Sequence, residues 1–322
     1  MGRQLVFRLL AARHEVVLLN RGNLDDGFAD RVERLRADRS TDAFTRRLRG
    51  RSFDAAVDFA AFRAEDTRVA AQVLLGRVGH YVMISSGQVY LVRQPRPALA
   101  ARESDYEGPL LPEPARESPD WPEWDYGLGK RGAEDALVSA FAGHQFPATR
   151  LRIPMVNGEG DYHRRLEGYL CRLMDGGPLL LPDGGETKTR HVYSGAVARA
   201  IERLLGDPRT FGQVYNLAQE ETPSVAEVVG LAAELLGAPA HFVSVPRARL
   251  EAAGLEPVRV SPFSGRWMSF LDPSLARETQ GFRHEPLRHY LDKIVGDFAN
   301  HPKDPPPGYA TRAAELRLAE GV

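Results

Sequence analysis

Cysteine is nearly absent: Cys171 is the single one in 322 residues. No intrachain disulfide framework and no multi-cysteine zinc or iron–sulfur site can form, which fits a reducing cytoplasm. Placed in a helical pattern, Cys171 reads as a small apolar side chain. Long apolar runs are also missing, since none approaches the roughly 20 residues that span a bilayer. The first twenty residues are apolar in part, but Arg3, Arg8 and Arg13 interrupt them and no small-residue cleavage site follows, so they read as fold and not as a leader. Neither sign of charge dominates: 42 Lys and Arg stand against 43 Asp and Glu, for a net charge of −1. That balance gives no general attraction to nucleic acid or to a membrane surface. Internal repeats and low-complexity tracts are lacking, and no histidine–carboxylate spacing points to a metal. What is present is 43% hydrophobic residues, enough to bury the core of one large domain or of one domain with a smaller lobe.

Periodicity supplies the organisation. Leu5, Val6, Leu9 and Leu10 recur at helical spacing and the apolar run Glu15–Leu19 follows, so the chain opens with a helix and then a strand. Short apolar runs at Asp54–Ala60, His80–Ser85 and Ala148–Ile153 alternate with amphipathic stretches such as Arg63–Leu75 and Lys130–Ala142. The alternation predicts an α/β fold, a doubly wound parallel sheet with helices on both faces. Between Arg93 and Asp125 the pattern lapses into a loop with seven prolines, and Trp121 and Trp124 stand near its end. A loop of that length is functional or mobile in a compact domain. Beyond Gly158 the pattern is mixed, with helices expected over Arg165–Met174, Ala196–Leu205 and Ser224–Leu236, the last capped by Ser224 with Glu227 three residues on. The chain divides into a main domain of residues 1–157 and about 190–220, a smaller mixed lobe of about 158–189 and 221–300, and a C-terminal tail over 301–322. Pro305-Pro306-Pro307 sets that tail off, with room for one short helix.

The residues with chemistry cluster in two places. Tyr126-Gly-Leu-Gly-Lys130 puts a phenol and an ammonium one turn apart on one helix face. A free tyrosine titrates near ~10, too high for a general base near neutrality, and an adjacent ammonium favours the phenolate. Lys130 so placed makes Tyr126 a usable acid/base. Upstream, the apolar run from Tyr81 ends in Ser85-Ser86. A hydroxyl at a strand end can hold the same substrate oxygen, and Ser86 is the first candidate with Ser85 the alternative. A Tyr-x-x-x-Lys pair alone is common on surfaces, so its context carries the weight.

That context resembles a known family. The strand ending in Ser85-Ser86, the Tyr126/Lys130 helix continuing as Arg-Gly-Ala-Glu-Asp-Ala-Leu, and the strand at Ala148 resemble, in order, the active-site segments of the extended short-chain dehydrogenases/reductases, in their NAD-dependent epimerase/dehydratase-like branch. Arg152-Ile-Pro-Met-Val-Asn-Gly-Glu-Gly-Asp161 is similar to that family's Arg-x-Pro…Gly-x-x-Asp stretch. The segments Arg190–Arg199 and Val214–Ala218 resemble its later strands, and the likeness runs from about residue 2 to about 298. It implies a Rossmann-like, dinucleotide-binding main domain, a substrate-binding lobe, a catalytic Ser86/Tyr126/Lys130 group, and a homodimer paired through two helices, one of them bearing Tyr126 and Lys130. The chain departs from the pattern at Ala196, where an aspartate commonly opens a helix, and in the long interval from Ser86 to Tyr126. Asn20-Arg21-Gly22, Asp58-Phe-Ala-Ala61 and the long loop look closer to a less characterised subgroup that includes chloroplast RNA-associated proteins.

The resemblance also implies a nicotinamide cofactor. Met1-Gly2-Arg3-Gln4-Leu5 matches only the last glycine of the family's glycine-rich turn and the helix after it, so the first strand and the earlier glycines are lacking. The expectation is that the natural start lies upstream or that the chain is shortened, with a natural deletion as the alternative. At the end of the next strand, Asn20-Arg21-Gly22 offers a guanidinium where an NAD-binding carboxylate is frequent, which favours NADP over NAD. As a solvated turn residue Arg21 would do neither. Asp38 is placed near adenine by the resemblance, and Asp58, Phe59 and Ala60 beside the cofactor, although Asp58 also reads as a turn cap. Tyr126 and Lys130 would touch the nicotinamide ribose.

For substrate, the family points to a small molecule such as a nucleotide sugar, whose phosphates call for arginine forks. Arg190 and Arg266 lie in the segments where such contacts are expected, and Arg164, Arg165 and Lys188 are lesser candidates. Trp121 and Trp124, with Trp267 after Arg266, frame an aromatic lid formed by the Pro-rich loop, Trp124 bordering the substrate. His163 and His191 read as structural. The arginine-rich stretch from Arg31 to Arg51 is interleaved with Asp30, Glu33, Asp38 and Asp42 and reads as a solvated helix face, not an RNA patch. Two functions follow: an NAD(P)-dependent oxidoreductase, epimerase or dehydratase in the cytoplasm, or a catalytically impaired nucleotide- or RNA-binding protein on the same scaffold.

Overall fold

The computed structural model describes residues 1–23 and 26–321. Ten strands are present among them: β1 Val17–Asn20, β2 Glu33–Arg36, β3 Ala56–Asp58, β4 Tyr81–Ser86, β5 Ala148–Ile153, β6 Met155–Asn157, β7 Leu179–Pro182, β8 His191–Tyr193, β9 Val214–Asn216 and β10 Phe242–Val245. The chain forms two compact units. The first comprises Met1–Pro154, Ser194–Ala218 and Ser269–Arg283; the second comprises Met155–Tyr193, Gln219–Met268 and His284–Val322.

In the first unit β3-β4-β5-β9 form a parallel four-stranded sheet, and β1 with β2 form a separate parallel pair. Every residue of β4 except Ser86 is buried, as a strand covered on both faces requires. The helices Ala64–Leu74 and Trp121–His144 pack together over one face. Leu74, Met83, Leu137 and Phe146 fill the space beneath them and are each at most 3% exposed, a burial that contributes about 1.5–3 kcal/mol per side chain. The pleat sorts β5: Arg150 and Arg152 turn to Glu134 on the Trp121–His144 helix, and Leu151 turns to the opposite face, beside Ala196 and Leu204 of the helix Ser194–Leu204. The opening helix, Gly2–Ala11, packs on that same Ser194–Leu204 helix. The α/β, Rossmann-like fold expected from the alternating pattern is the fold observed.

Several local expectations need correction. The Tyr126 helix does not open at the Tyr/Lys pair; it starts at Trp121, with Pro122 in the first turn, where proline's fixed φ and missing N–H cost nothing. Read as loop residues, Trp121 and Trp124 are helical. The long loop before them is pinned: Ala101 bridges Leu271 and is buried with Val89 and Tyr90, and Arg93 bridges Leu110. The stretch from Arg31 to Arg51 is not one helix face. Arg34 and Arg36 lie on β2, Arg39 pairs with Asp58 and Asp66, and only Asp42–Leu48 is helical.

In the second unit β6 pairs with β8 and β7 with β10, all parallel. The helix Val225–Leu236 carries the expected reciprocal cap, Ser224 Oγ accepting from Glu227 N and the Glu227 carboxylate from Ser224 N. Residues from His301 onward are not a departing tail. The helix Arg312–Ala319 buries Glu315, whose carboxylate takes two hydrogen bonds from the buried Arg172 guanidinium at 2.6 and 2.8 Å. Arg312 in turn pairs with Asp175 at 2.6 Å. Conversely Ser269–Arg283, assigned by sequence to the lobe, packs in the first unit. No helix among the described residues is long and apolar enough to cross a membrane.

Candidate active site

Ser86 ends β4, and Tyr126 and Lys130 lie on the second and third turns of the Trp121–His144 helix. The helix comes close because glycines flank Leu128. A Cβ on Gly129 would stand 2.6 Å from the Phe62 carbonyl oxygen, and one on Gly127 2.9 Å from that of Gln88. Two backbones meeting without side chains between them bring the phenol to the strand end.

Ser86 Oγ accepts from Gln88 N at 3.2 Å and lies beside the Tyr126 phenol. The phenol's pKa is raised from its ordinary value: burial raises it most, Ser86 lowers it, and the Glu123 carboxylate raises it again. Lys130 is only 2% exposed. Its ammonium donates to the carbonyls of Ala61 at 2.7 Å and Ile84 at 2.9 Å, and it lies 4.7 Å from the Phe62 ring centre and 5.9 Å from that of Tyr126. Burial lowers its pKa to about 8, against the pull of Asp58 and Glu134. The three residues named from the sequence are therefore together, with the cation aimed by backbone and its field across the tyrosine ring.

Behind them lies a charge network with no motif of its own. Glu134 is fully buried and receives Ser85 Oγ at 2.5 Å and Arg152 Nη2 at 2.6 Å. Burial opposes its charge, but Arg152 and then Arg150 hold its pKa below the usual carboxylate value. Arg152 also donates to the Tyr90 hydroxyl at 2.7 Å, which donates to Asn216 at 2.9 Å. Ser85, the alternative hydroxyl, is thus committed to Glu134, and Ser86 is the one left to the site. Glu134 follows Lys130 as Lys130 follows Tyr126, so the four-residue stripe on the helix was its signal. Glu123, one turn before Tyr126, also escaped the sequence reading; burial raises its pKa and the Gln88 amide donates to it.

The expected cofactor residues divide into engaged and open groups. Asp58 caps Ala60 N at 2.8 Å, accepts from Tyr81 and pairs with Arg39, so its cap reading describes its bonds. Phe59 lies beside Gly2, whose added Cβ would meet the ring at 3.8 Å. Asp38 accepts from Ser40 N at 2.9 Å and stands 4.0 Å from Arg21. Asn20 accepts from Arg36, a residue that sequence reasoning left among the solvated charges. Arg36 lies over the turn after β1, which Gly22 makes possible: its φ is +81°, and a Cβ there would stand 2.8 Å from Arg36 Nε. The helix Gly2–Ala11 has no side-chain cap on its first turn. Two guanidiniums at a strand end and helix amides without a side-chain cap are donors of the kind that fit a dinucleotide's phosphates.

The second unit holds the remaining candidates. Arg190 bonds Thr222 Oγ1 at 2.7 Å and the Glu220 carbonyl at 3.0 Å, which fixes a loop. Arg164 pairs with Glu167, Arg165 with Asp161 and Lys188 with Glu227, whereas Arg266 is exposed. His191 is buried against Phe263, bonded to Asn157, with its pKa pushed down to about 3 by burial, and His163 is exposed beside Tyr162. In the first unit the Trp124 indole donates to the Leu111 carbonyl at 3.0 Å and that of Trp121 to Glu113 at 3.2 Å, so both tie the loop to the helix. No group of three His, Cys, Asp or Glu among the described residues could hold a metal ion.

Comparisons with known proteins give the family and the fold. The model of the NAD dependent epimerase/dehydratase family matches residues 1–218. The chain is 28% identical over 280 residues to the 2'-dehydrokanamycin reductase of Streptomyces kanamyceticus, spanning 85% of this chain and 74% of that one. Among solved structures it is similar to DesIV, the dTDP-glucose 4,6-dehydratase of Streptomyces venezuelae with NAD and TYD bound, at a TM-score of 0.69 and 20% identity over 93% of this chain and 94% of that one. It is similar also to the UDP-N-acetylglucosamine 4-epimerase of Bacillus cereus, at a TM-score of 0.68 and 15% identity over 91% and 94%. At such identities the structural likeness is one of fold.

Proposed function

Because the chain belongs to the NAD dependent epimerase/dehydratase family, we propose that it interconverts a ketone and a secondary alcohol on a sugar-like small molecule, with NADP preferred over NAD. The observation that carries this reading is the meeting of Ser86, Tyr126 and Lys130 at the end of β4. Ser86 Oγ holds the substrate oxygen. Tyr126 gives that oxygen its proton as the ketone becomes an alcohol, and takes it back in the reverse direction. Lys130, kept cationic and fixed by two carbonyls, favours the phenolate that remains. The nicotinamide, when bound, supplies or accepts the hydride. Lys130 and Tyr126 would hold its ribose, and Arg21 with Arg36 a 2′-phosphate. The reductase relative supports ketone reduction as the direction, and the epimerase neighbour supports a nucleotide sugar as the competing substrate class. Trp124 and Arg266 are the proposed substrate contacts, and two copies would pair through the Trp121–His144 helix.

The test is NADPH consumption by the purified chain over a panel of keto sugars, beside a fluorescence titration with NADPH and NADH. Tyr126→Phe is expected to lower turnover by about 10²–10⁴-fold and to leave NADPH binding unchanged. Turnover retained in that variant would remove the mechanism, and a wild-type chain that binds neither cofactor would remove the reading.

A further inference from the structure

On the face of the four-stranded sheet opposite Tyr126 and Lys130, a cavity of about 210 Å³ lies within the first unit. Its floor is apolar: Leu151 of β5 and Leu217 and Phe282 are all at most 6% exposed. Arg199, Arg203 and Arg283 also line it, and no Asp or Glu does among the described residues. Arg203 and Arg283 are exposed and make no ion pair among the described residues. Gly281, the left-handed C-cap of the helix Ser274–Gln280, lies beside one of these cations: a Cβ there would stand 2.9 Å from Arg203 Nη2. Two exposed guanidiniums, those of Arg203 and Arg283, thus stand over an apolar hollow.

We propose that this cavity binds a small amphipathic anion, a carboxylate or phosphate monoester with a short apolar body. The body would rest on Leu151, Leu217 and Phe282, and the head would be gripped by Arg203 and Arg283. Both halves are needed. Exposed arginines alone would hold any anion weakly, and the apolar floor alone would favour an uncharged molecule. Arg150 and Arg152, which flank Leu151, point to the other face, where Glu134 takes them. The cavity is therefore chemically separate from the proton-transfer site.

Isothermal titration calorimetry on the full chain tests the assignment, with butanoate, pentanoate, hexanoate, hexyl phosphate, inorganic phosphate and hexylamine as probes. From butanoate to hexanoate, affinity is expected to rise about fourfold per methylene. Hexyl phosphate is expected to bind more tightly than inorganic phosphate, and hexylamine not at all. Arg203→Ala and Arg283→Ala are each expected to weaken hexanoate about tenfold. Ala200→Phe, on the cavity wall, should abolish binding in a chain whose circular dichroism and Tm show it folded. Hexylamine binding as well as hexanoate, inorganic phosphate matching hexyl phosphate, or affinity unchanged in the Arg203/Arg283 double variant would each overturn the proposal. If carboxylates bind and the phosphate ester does not, the ligand class narrows to carboxylates.

Discussion

The two ladders of the first unit handle charge in opposite ways. Around β4 and β5 the charged groups are interior and mutually satisfied: Lys130, Glu134 and Arg152 are at most 2% exposed, and every one has named partners. Around β1 and β2 the charges lie nearer solvent, with Arg34 paired to Asp26 and Arg51 to Glu33, and one cation stands open. The Arg21 side chain is 66% exposed and its nearest carboxylate, on Asp38, is 4.0 Å away. Interior pairs aim a reacting group but cannot be broken cheaply, whereas exposed ones can be exchanged for a ligand's charge at little cost. On the proposed reading, the first ladder positions a proton and the second receives a phosphate.

Four measurements would break or sharpen this contrast. The largest effect is expected at Glu134: Glu134→Ala leaves Arg152 buried without its carboxylate and should destabilise the fold by about 3–5 kcal/mol in urea unfolding. A loss below about 1 kcal/mol, the scale of a surface pair, would erase the distinction. Next is Gly129→Ala, whose Cβ would meet a carbonyl oxygen at 2.6 Å. Thermal unfolding should show a loss of about 1–3 kcal/mol, together with reduced turnover as the helix moves off β4.

Third comes pH. Lys130 has a folded pKa near 8, below its ordinary value of 10.5. Folding therefore carries the full cost of burying the cation below about pH 8, and that cost fades as pH rises from there toward 10.5. Stability from this group thus increases across that window. Activity should fall over the same window, about tenfold per pH unit, because the phenolate loses its cation. Paired pH–rate and pH–unfolding profiles that moved together would show that Lys130 is not the titrating group, and Lys130→Arg should carry the falling limb to higher pH. The smallest effect belongs to the open ladder. Arg21→Ala with Arg36→Ala should leave the Tm within about 1 °C, as surface changes do, yet weaken NADPH several-fold and spare NADH. Equal weakening of both cofactors would deny the two guanidiniums a role in phosphate choice.

Much of this was legible in the sequence, and the particular failures are instructive. β5 and the helix Arg165–Met174 fall where periodicity put them, because their apolar spacing and their burial coincide. So do Ser86, Tyr126 and Lys130, whose local order reflects one strand and one helix. The helix start at Trp121 was hidden by Pro122, which signals a loop unless the first-turn exception is applied. Arg172 and Glu315 are 143 residues apart, and nothing local marks two charges as partners in an interior. Arg36 was hidden for a related reason: one arginine among many becomes distinctive only when the bare turn at Gly22 shows where it lies.

The separation of the β1–β2 pair from β3 bears on cooperativity. β4 has hydrogen-bonded strands on both sides and a full apolar cover, so its amides should exchange with solvent only when the whole unit unfolds. β1 has a ladder on one side among the described residues, and none of its residues is fully buried. The β1–β2 ladder is therefore the part of this unit's pairing expected to open first. A ligand that bridged Arg21 and Tyr126 would then do more than occupy a site: it would tie the opening of one ladder to that of the other.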